Sequence, residues 1–149
     1  MELATLAKDY RDFYAPAYAV RVGRADLMRD LLVAVSQVEV DLVLGAASRF
    51  SFTITDCYSH KLRIFQTGRG VDLLGILTFG AEMEIYMGYG DAKSTPIAMK
   101  GMITEISTSF PESGSPELAI AGYDHGFAMT ICKNSRTWSK ARDSEAVHE

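Results

Sequence analysis

The chain has 149 residues, 48% hydrophobic and 23% charged, and its 19 acidic against 15 basic side chains leave a net charge of -4. That length and balance fit one globular domain burying roughly 68–70% of its unfolded surface, and exclude a disordered or collagen-like chain. The acidic surplus argues against a nucleic-acid partner, because phosphate binding needs a concentrated basic surface; Lys133, Arg136, Lys140 and Arg142 crowd together, but Asp143 and Glu145 follow at once.

The opening MELATLAKDYRDFYAP has neither a basic region leading into an unbroken apolar core nor a small-residue cleavage site, so no secretory signal is expected. No run approaches the ~18 apolar residues of a membrane helix, and the simplest expectation is a soluble protein held in a cytoplasm. Leu3, Leu6, Tyr10 and Phe13 or Tyr14 recur at three- and four-residue intervals. That spacing predicts an amphipathic helical arm over residues 1–15, ending before Pro16 and docking on this molecule or on a neighbour.

Residues 17–22 (AYAVRV) alternate weakly and read as the first strand, closed by Gly23, with a single turn over residues 26–30. Residues 31–44 carry the longest strand signal. Leu31, Val33 and Val35 lie on one parity and Val38, Val40, Leu42 and Leu44 on the other, with Ser36 and Gln37 between. A switch of parity inside an extended run predicts a β-bulge or corner, and so a strongly bent strand. After a turn at residues 45–49 (GAASR), Phe50, Phe52 and Ile54 alternate with Ser51, Thr53 and Thr55. Glu39, Asp41, Ser51, Thr53 and Thr55 then share one polar face of a hairpin, facing water or a wet channel.

Residues 58–79 are the least regular. Leu62, Ile64 and Phe65 fit a short helix or strand, residues 66–70 a loop, and Val71, Leu73, Leu74, Ile76 and Leu77 are apolar enough to be covered. Residues 80–123 predict a three-stranded antiparallel meander. Met83, Ile85 and Met87 alternate with Glu82, Glu84 and Tyr86; a turn follows at Gly88, Gly90, Asp91, Ser94 and Pro96. The second run has Ile97, Met99 and Ile103 on one parity and Ala98, Met102, Ile106 and Phe110 on the other, which reads as burial on both faces. A PESGSP turn at residues 111–116 leads to a third strand with Leu118, Ile120 and Gly122 against Ala119 and Ala121. In the polar tail, Asp143 or Ser144 is placed to cap a helix beginning at Glu145 and Ala146.

The chemical motifs are weak. Cys57 and His60 have the spacing of half a zinc site, with Cys132 and His125 as conceivable partners, but that second pair is not closely spaced, and close spacing is what makes such a signal specific. Two cysteines make no disulfide framework, and both read as small buried or half-buried side chains. Asp124 and His125 are adjacent on a strand and point to opposite faces, so a surface turn fits them better than an acid/base pair. The Gly68-Arg69-Gly70 and Gly88-Tyr89-Gly90 triplets lack the strand-to-helix setting of a phosphate loop. No catalytic residue, cofactor or metal site is expected, and the residues describe a β-rich module that binds or builds.

The segments DFYAPAYAVRVG (12–23), VSQVEVDLVLGAASRFSFTITD (35–56), FGAEMEIYMGYGD (79–91), GMITEISTSFPESGSPELAIAGYDHGF (101–127) and KNSRTWSKARDSEAV (133–147) together, in this order and spacing, resemble the amino-terminal part of the phage late control protein D family. That family contains the baseplate hub, or spike base, of contractile-tailed phages and extracellular contractile injection systems, and is related to the VgrG spike. The resemblance implies a mainly β fold, an antiparallel β-barrel of tail-tube or hub type with one or two short helices. It divides the chain into a helical arm (1–15), a β-barrel hub domain (16–132) and the start of a connector helix (133–149) toward a second barrel domain absent here. It implies a trimeric hub whose barrels form a pseudo-hexameric ring, with the inner tube protein, spike or tip and baseplate proteins as partners, no membrane and no sequence-specific nucleic-acid contact. Location would be cytoplasmic during assembly and then within the particle. For this chain alone, monomeric or weak association is expected. Glu39, Asp41, Ser51, Thr53 and Thr55 become a candidate face toward the lumen or a neighbouring subunit.

Two other readings stay open on the residues. A tail-tube or tube-initiator protein would share the barrel but close a six-fold ring of identical chains. A small-ligand-binding β-barrel would use a pocket lined by Phe50, Phe52, Met83 and Met99.

Overall fold

The computed structural model describes residues 16–90 and 95–131. The arm over residues 1–15, Cys132 and the connector helix over residues 133–149 lie outside them. The described strands are β1 (Pro16–Val22), β2 (Ala25–Asp26), β3 (Ala34–Asp41), β4 (Arg49–Thr55), β5 (Tyr58–Ser59), β6 (Ile64–Phe65), β7 (Glu82–Tyr89), β8 (Ile97–Ser109) and β9 (Glu117–Asp124). A 3-10 turn (His125–Phe127) and the one-turn helix α1 (Ala128–Ile131) follow β9.

Seven strands form one antiparallel sheet in the order β2-β1-β7-β8-β9-β4-β3. The meander β7-β8-β9 is its centre, and β1 and β4 join its two sides through pairings distant in sequence. The sheet curls into a half-barrel. Its two ends approach closely enough for the Tyr18 hydroxyl on β1 to donate to the Val35 carbonyl on β3 at 2.7 Å.

Alternation decides which face is dry. Val20 and Val22 of β1, Met83 and Ile85 of β7, Met99 and Ile103 of β8, Leu118 and Ile120 of β9 and Phe50, Phe52 and Ile54 of β4 are all buried in one cluster inside the curl. Phe50, Phe52, Met83 and Met99 are thus members of the packed core.

Bulges reconcile most of the sequence parities with this single interior. In β3 the pairing steps from Val35↔Ile54 to Gln37↔Thr53, leaving Ser36 as the extra residue, and its hydroxyl donates to the Thr53 carbonyl at 3.3 Å. Val33 and Val35 before the bulge and Val38 and Val40 after it therefore pack against the same core. In β8 the step from Ile103↔Gly122 to Glu105↔Ala121 leaves Thr104 extra, so Ile103 and Ile106 both turn inward. The bulge thus brings Ile106 to the inner face, Ala98 and Met102 stay half-buried, and a further register step at Ala98 leaves Ile97 exposed.

Other expectations are corrected. The long strand over residues 31–44 is only Ala34–Asp41: Leu32 takes a left-handed turn at φ 53, and Leu42 and Leu44 stand exposed beyond the end of β3. Residues 58–65 form the hairpin β5-β6, clamped by edge-on packing of Tyr58 against Phe65 and against Phe110 just past β8. Leu73 and Leu77 are covered, but Val71 and Leu74 are exposed. Their loop has no period to sort them, and the Leu73 amide bonded to the Phe65 carbonyl sets which leucine turns inward.

Candidate assembly surface

Because Phe50, Phe52 and Ile54 point into the core, Ser51, Thr53 and Thr55 must point out of it. The β3-β4 register sets Glu39 opposite Ser51, Gln37 opposite Thr53, Asp41 opposite Arg49 and Ala34 opposite Thr55. Glu39, Asp41, Ser51, Thr53 and Thr55 therefore share the outer face, the two acids exposed and the three hydroxyl residues half-buried.

The face is wider than the hairpin. β9 lies beside β4 with Ala121 opposite Ser51 and Ala119 opposite Thr53, and β8 adds Glu105 opposite Ala121 and Ser107 opposite Ala119. The two alanines lower the floor between the polar rows, making a shallow trough of about 180 Å³ walled by Gln37, Arg49, Ser51, Thr53, Glu105 and Ser107. Arg49 reaches across β9 to Glu105, Nη2 to Oε2 3.6 Å, with both side chains largely in water. A second depression of about 250 Å³ lies among Glu39, Asp41, Arg49, Phe50 and Ser51. Hairpin alternation marked five residues of this face; the alternation of Ala119 and Ala121 with Leu118 and Ile120 was the available signal for the rest, but it needed the β4-β9 pairing to be placed.

The outer face of β1-β7-β8 is locked by a different set of charges. Lys100 Nζ lies 2.6 Å from Glu84 Oε1, and the Tyr86 hydroxyl donates to Glu84 Oε2 at 2.7 Å. Arg21 donates to the Tyr86 oxygen at 3.1 Å while its guanidinium lies 4.4 Å from the centre of that ring. The Lys100 and Tyr86 hydrogen bonds hold the Glu84 carboxyl below its ordinary value, and the same carboxylate raises the Tyr86 phenol and the Lys100 ammonium. These groups satisfy one another and stiffen the sheet.

At the end of β9, the Asp124 carboxylate is taken up by backbone amides. Its Oδ2 accepts from the Ser48 amide and its Oδ1 from the Gly126 amide, each at 2.9 Å, so one carboxylate ties the β3-β4 loop to the 3-10 turn. These bonds, that from Ser48 first, lower its pKa. His125 is exposed in the turn that Asp124 caps. Cys57 is buried, and burial pushes its thiol up, while His60 stacks edge-on against Tyr58. Among the described residues no group of three or more His, Cys, Asp or Glu side chains is placed to hold a metal ion, and no helix is long and apolar enough to cross a membrane.

The structure thus defines a class: an antiparallel half-barrel with one packed interior and a broad polar outer face. Residues 32–149 match the family described as the Alg8 N-terminal domain, and the chain belongs to that family. The matching family is a different one from the late control protein D family that the sequence resembles. Among curated proteins none matches. The fold is similar to that of the tail protein from Neisseria meningitidis MC58, with a TM-score of 0.52 at 20% identity, over 83% of this chain and 29% of that one. At that identity the likeness is one of fold.

Proposed function

We propose that this chain is a structural module of a tail-like particle, a component of the baseplate hub or spike base that joins the inner tube to the spike of a contractile phage tail or contractile injection system. The observation that carries the reading is the half-barrel fold shared with a tail protein over 83% of the chain. The five sequence blocks similar to late control protein D give the finer assignment, with three copies as the assembled form. The work is mechanical, and no step of chemistry is assigned to any residue.

The surfaces fit such a role. A protein that transmits force between neighbours needs a rigid interior and hydrated faces, and here the interior is one continuous cluster while Glu39, Asp41, Ser51, Thr53 and Thr55 lie outside it. In this reading that face looks into the lumen or toward a neighbouring subunit. The test is the mass of the purified protein by light scattering over a concentration series. Trimers that form with rising concentration support the hub assignment, and a six-fold ring replaces it with a tube protein. A strict monomer at the highest concentration refutes self-assembly by this module.

A further inference from the structure

Leu32 and Asp56 are two of the three described non-glycine residues with positive φ, at 53° and 54°, and they line one pocket. The β3-β4 pairing brings them together: Ala34 lies opposite Thr55, so the chain entering β3 and the chain leaving β4 meet at the open end of that hairpin. The loop after β6 completes the pocket. It is held there by the Gln66 amide on the Cys57 carbonyl at 2.7 Å and the Gly68 amide on the Leu31 carbonyl at 3.1 Å. The enclosed volume is about 170 Å³, room for one long side chain.

Neither the backbone nor the core asks for leucine at position 32. The left-handed region is one that glycine enters freely and leucine does not, and the Leu32 side chain is 57% exposed, so it adds little to the interior. A second position is committed to keeping it. A Cβ at residue 68 would lie 2.7 Å from the Leu32 Cβ and 2.8 Å from its carbonyl oxygen, so only glycine leaves room there. Strain retained at an exposed apolar residue points to a contact outside the fold. Asp56 suits the left-handed region better. It carries the only charge among the residues lining the pocket, and Gln66 adds an amide oxygen.

We propose that this pocket takes an arginine side chain of a neighbouring protein, its guanidinium on the Asp56 carboxylate and its methylene stem over Leu32. A guanidinium presents a planar fork of donors that a carboxylate accepts in pairs. Its apolar stem covers an exposed leucine, as a compact cation would not. Because Leu32 stands more than half in water, its ligand must extend past the rim of the pocket, as a residue within a protein chain does and a free small cation does not. That the neighbour is a protein of the assembly rests on the proposed function; the choice of a guanidinium does not.

The test titrates the isotope-labelled full chain with N-acetyl-arginine amide, followed by NMR amide shifts, with N-acetyl-citrulline amide as the uncharged control of the same shape. Saturable shifts confined to residues 32–34, 56–58 and 66–68 are expected, with the midpoint in the millimolar range and binding of the citrulline probe about tenfold weaker. Asp56→Asn keeps a residue at ease with positive φ and removes the charge, so it should weaken the arginine probe about tenfold. Leu32→Gly should weaken it about threefold while raising the urea midpoint, because it removes the apolar contact and the backbone strain together. No shifts at these amides, equal binding of the two probes, or full binding by Asp56→Asn overturns the proposal. So does a lowered urea midpoint for Leu32→Gly, which would make the leucine a packing residue. The probe is a free amino-acid amide, so the result stands whether or not the chain forms trimers, and the light-scattering mass judges that reading separately.

Discussion

Gly122→Ala is the substitution for which the structure makes the sharpest demand. Gly122 lies on β9 directly opposite Phe50 of β4 and Ile103 of β8. A methyl group added there would meet the Met102 carbonyl oxygen at 2.1 Å and the Phe50 ring at 2.6 and 2.8 Å. Gly101 on β8 lies under the same ring, with a Cβ there 3.1 Å from Phe50 and 2.3 Å from the Tyr123 carbonyl oxygen. The two glycines are thus the floor on which Phe50 packs, each with a carbonyl of the neighbouring strand close above it. A flexible side chain gives way cheaply, but a carbonyl in a sheet ladder moves only with its strand. The cost belongs at the upper end of the range for overpacking, about 3 kcal/mol. For a domain of this size that lowers the melting temperature by about 9 °C.

Urea unfolding followed by far-UV circular dichroism measures it, and Phe50→Leu separates the two clashes. Shortening the ring should recover about 1 kcal/mol of the Gly122→Ala cost, read as a coupling energy in a double-mutant cycle. The remainder, due to the Met102 carbonyl, should persist. An unfolding free energy for Gly122→Ala within about 0.5 kcal/mol of the parent would refute the argument. Complete rescue by Phe50→Leu would show that the ring, and not the close approach of the two strands, makes glycine necessary.

Leu73→Ala should cost about 2–5 kcal/mol in urea unfolding because its side chain is fully buried, whereas Leu74→Ala, at 39% exposure, should change stability by no more than about 0.5 kcal/mol. Tyr18→Phe keeps the ring and removes only the bond to the Val35 carbonyl, so about 1 kcal/mol of stability should be lost with β1 and β3 amides exchanging faster. Asp124→Ala removes the acceptor for both Ser48 and Gly126 amides and should cost about 1–2 kcal/mol, Asp124→Asn less. The native pKa of Asp124 is depressed, so its contribution is complete above the ordinary carboxylate value near 4 and is lost as pH falls through the lower native value. Urea midpoints of the parent should therefore fall below about pH 4 more steeply than those of Asp124→Ala, and parallel curves would refute this assignment.

Much of the fold was legible wherever one residue's neighbour in sequence was also its constraint in space. The parity switch at Ser36 and Gln37 was visible because a bulge must insert one residue, and the alternation in residues 82–86 and 118–122 was visible because one sheet face is dry. The same logic misled where the chain left the ladder: Leu42 and Leu44 continue the parity of Val38 and Val40, yet β3 ends at Asp41, and Leu44 is 103% exposed. Residues 66–81 gave no period, so Val71 and Leu74 were indistinguishable from Leu73 and Leu77 by composition. The candidate face was legible only as far as the hairpin. Its other half, Ala119, Ala121, Glu105 and Ser107, is joined to Ser51 and Thr53 through the β4-β9 pairing, which spans more than sixty residues of chain and has no local signal.

A half-barrel has a physical problem that a closed barrel lacks, because its last strands present unpaired backbone groups that invite uncontrolled pairing. This chain answers it differently at its two ends. On the β1 side only a short stretch of edge is covered: β2 pairs with Arg21 and Val22, the Leu27 amide takes up the Val20 carbonyl, and the turn after β2 is fixed by Asp26, whose carboxylate accepts from the Met28 and Arg29 amides. On the β3 side the edge is longer, but it is broken by the Ser36 bulge, and Glu39 and Asp41 put negative charge along what remains. Two like edges of this kind repel each other, which disfavours pairing of two copies through β3. The order of events follows if the module assembles as proposed: the interior folds first on its own contacts, and neighbours are then chosen by charge and shape at the edge rather than by exposed strand.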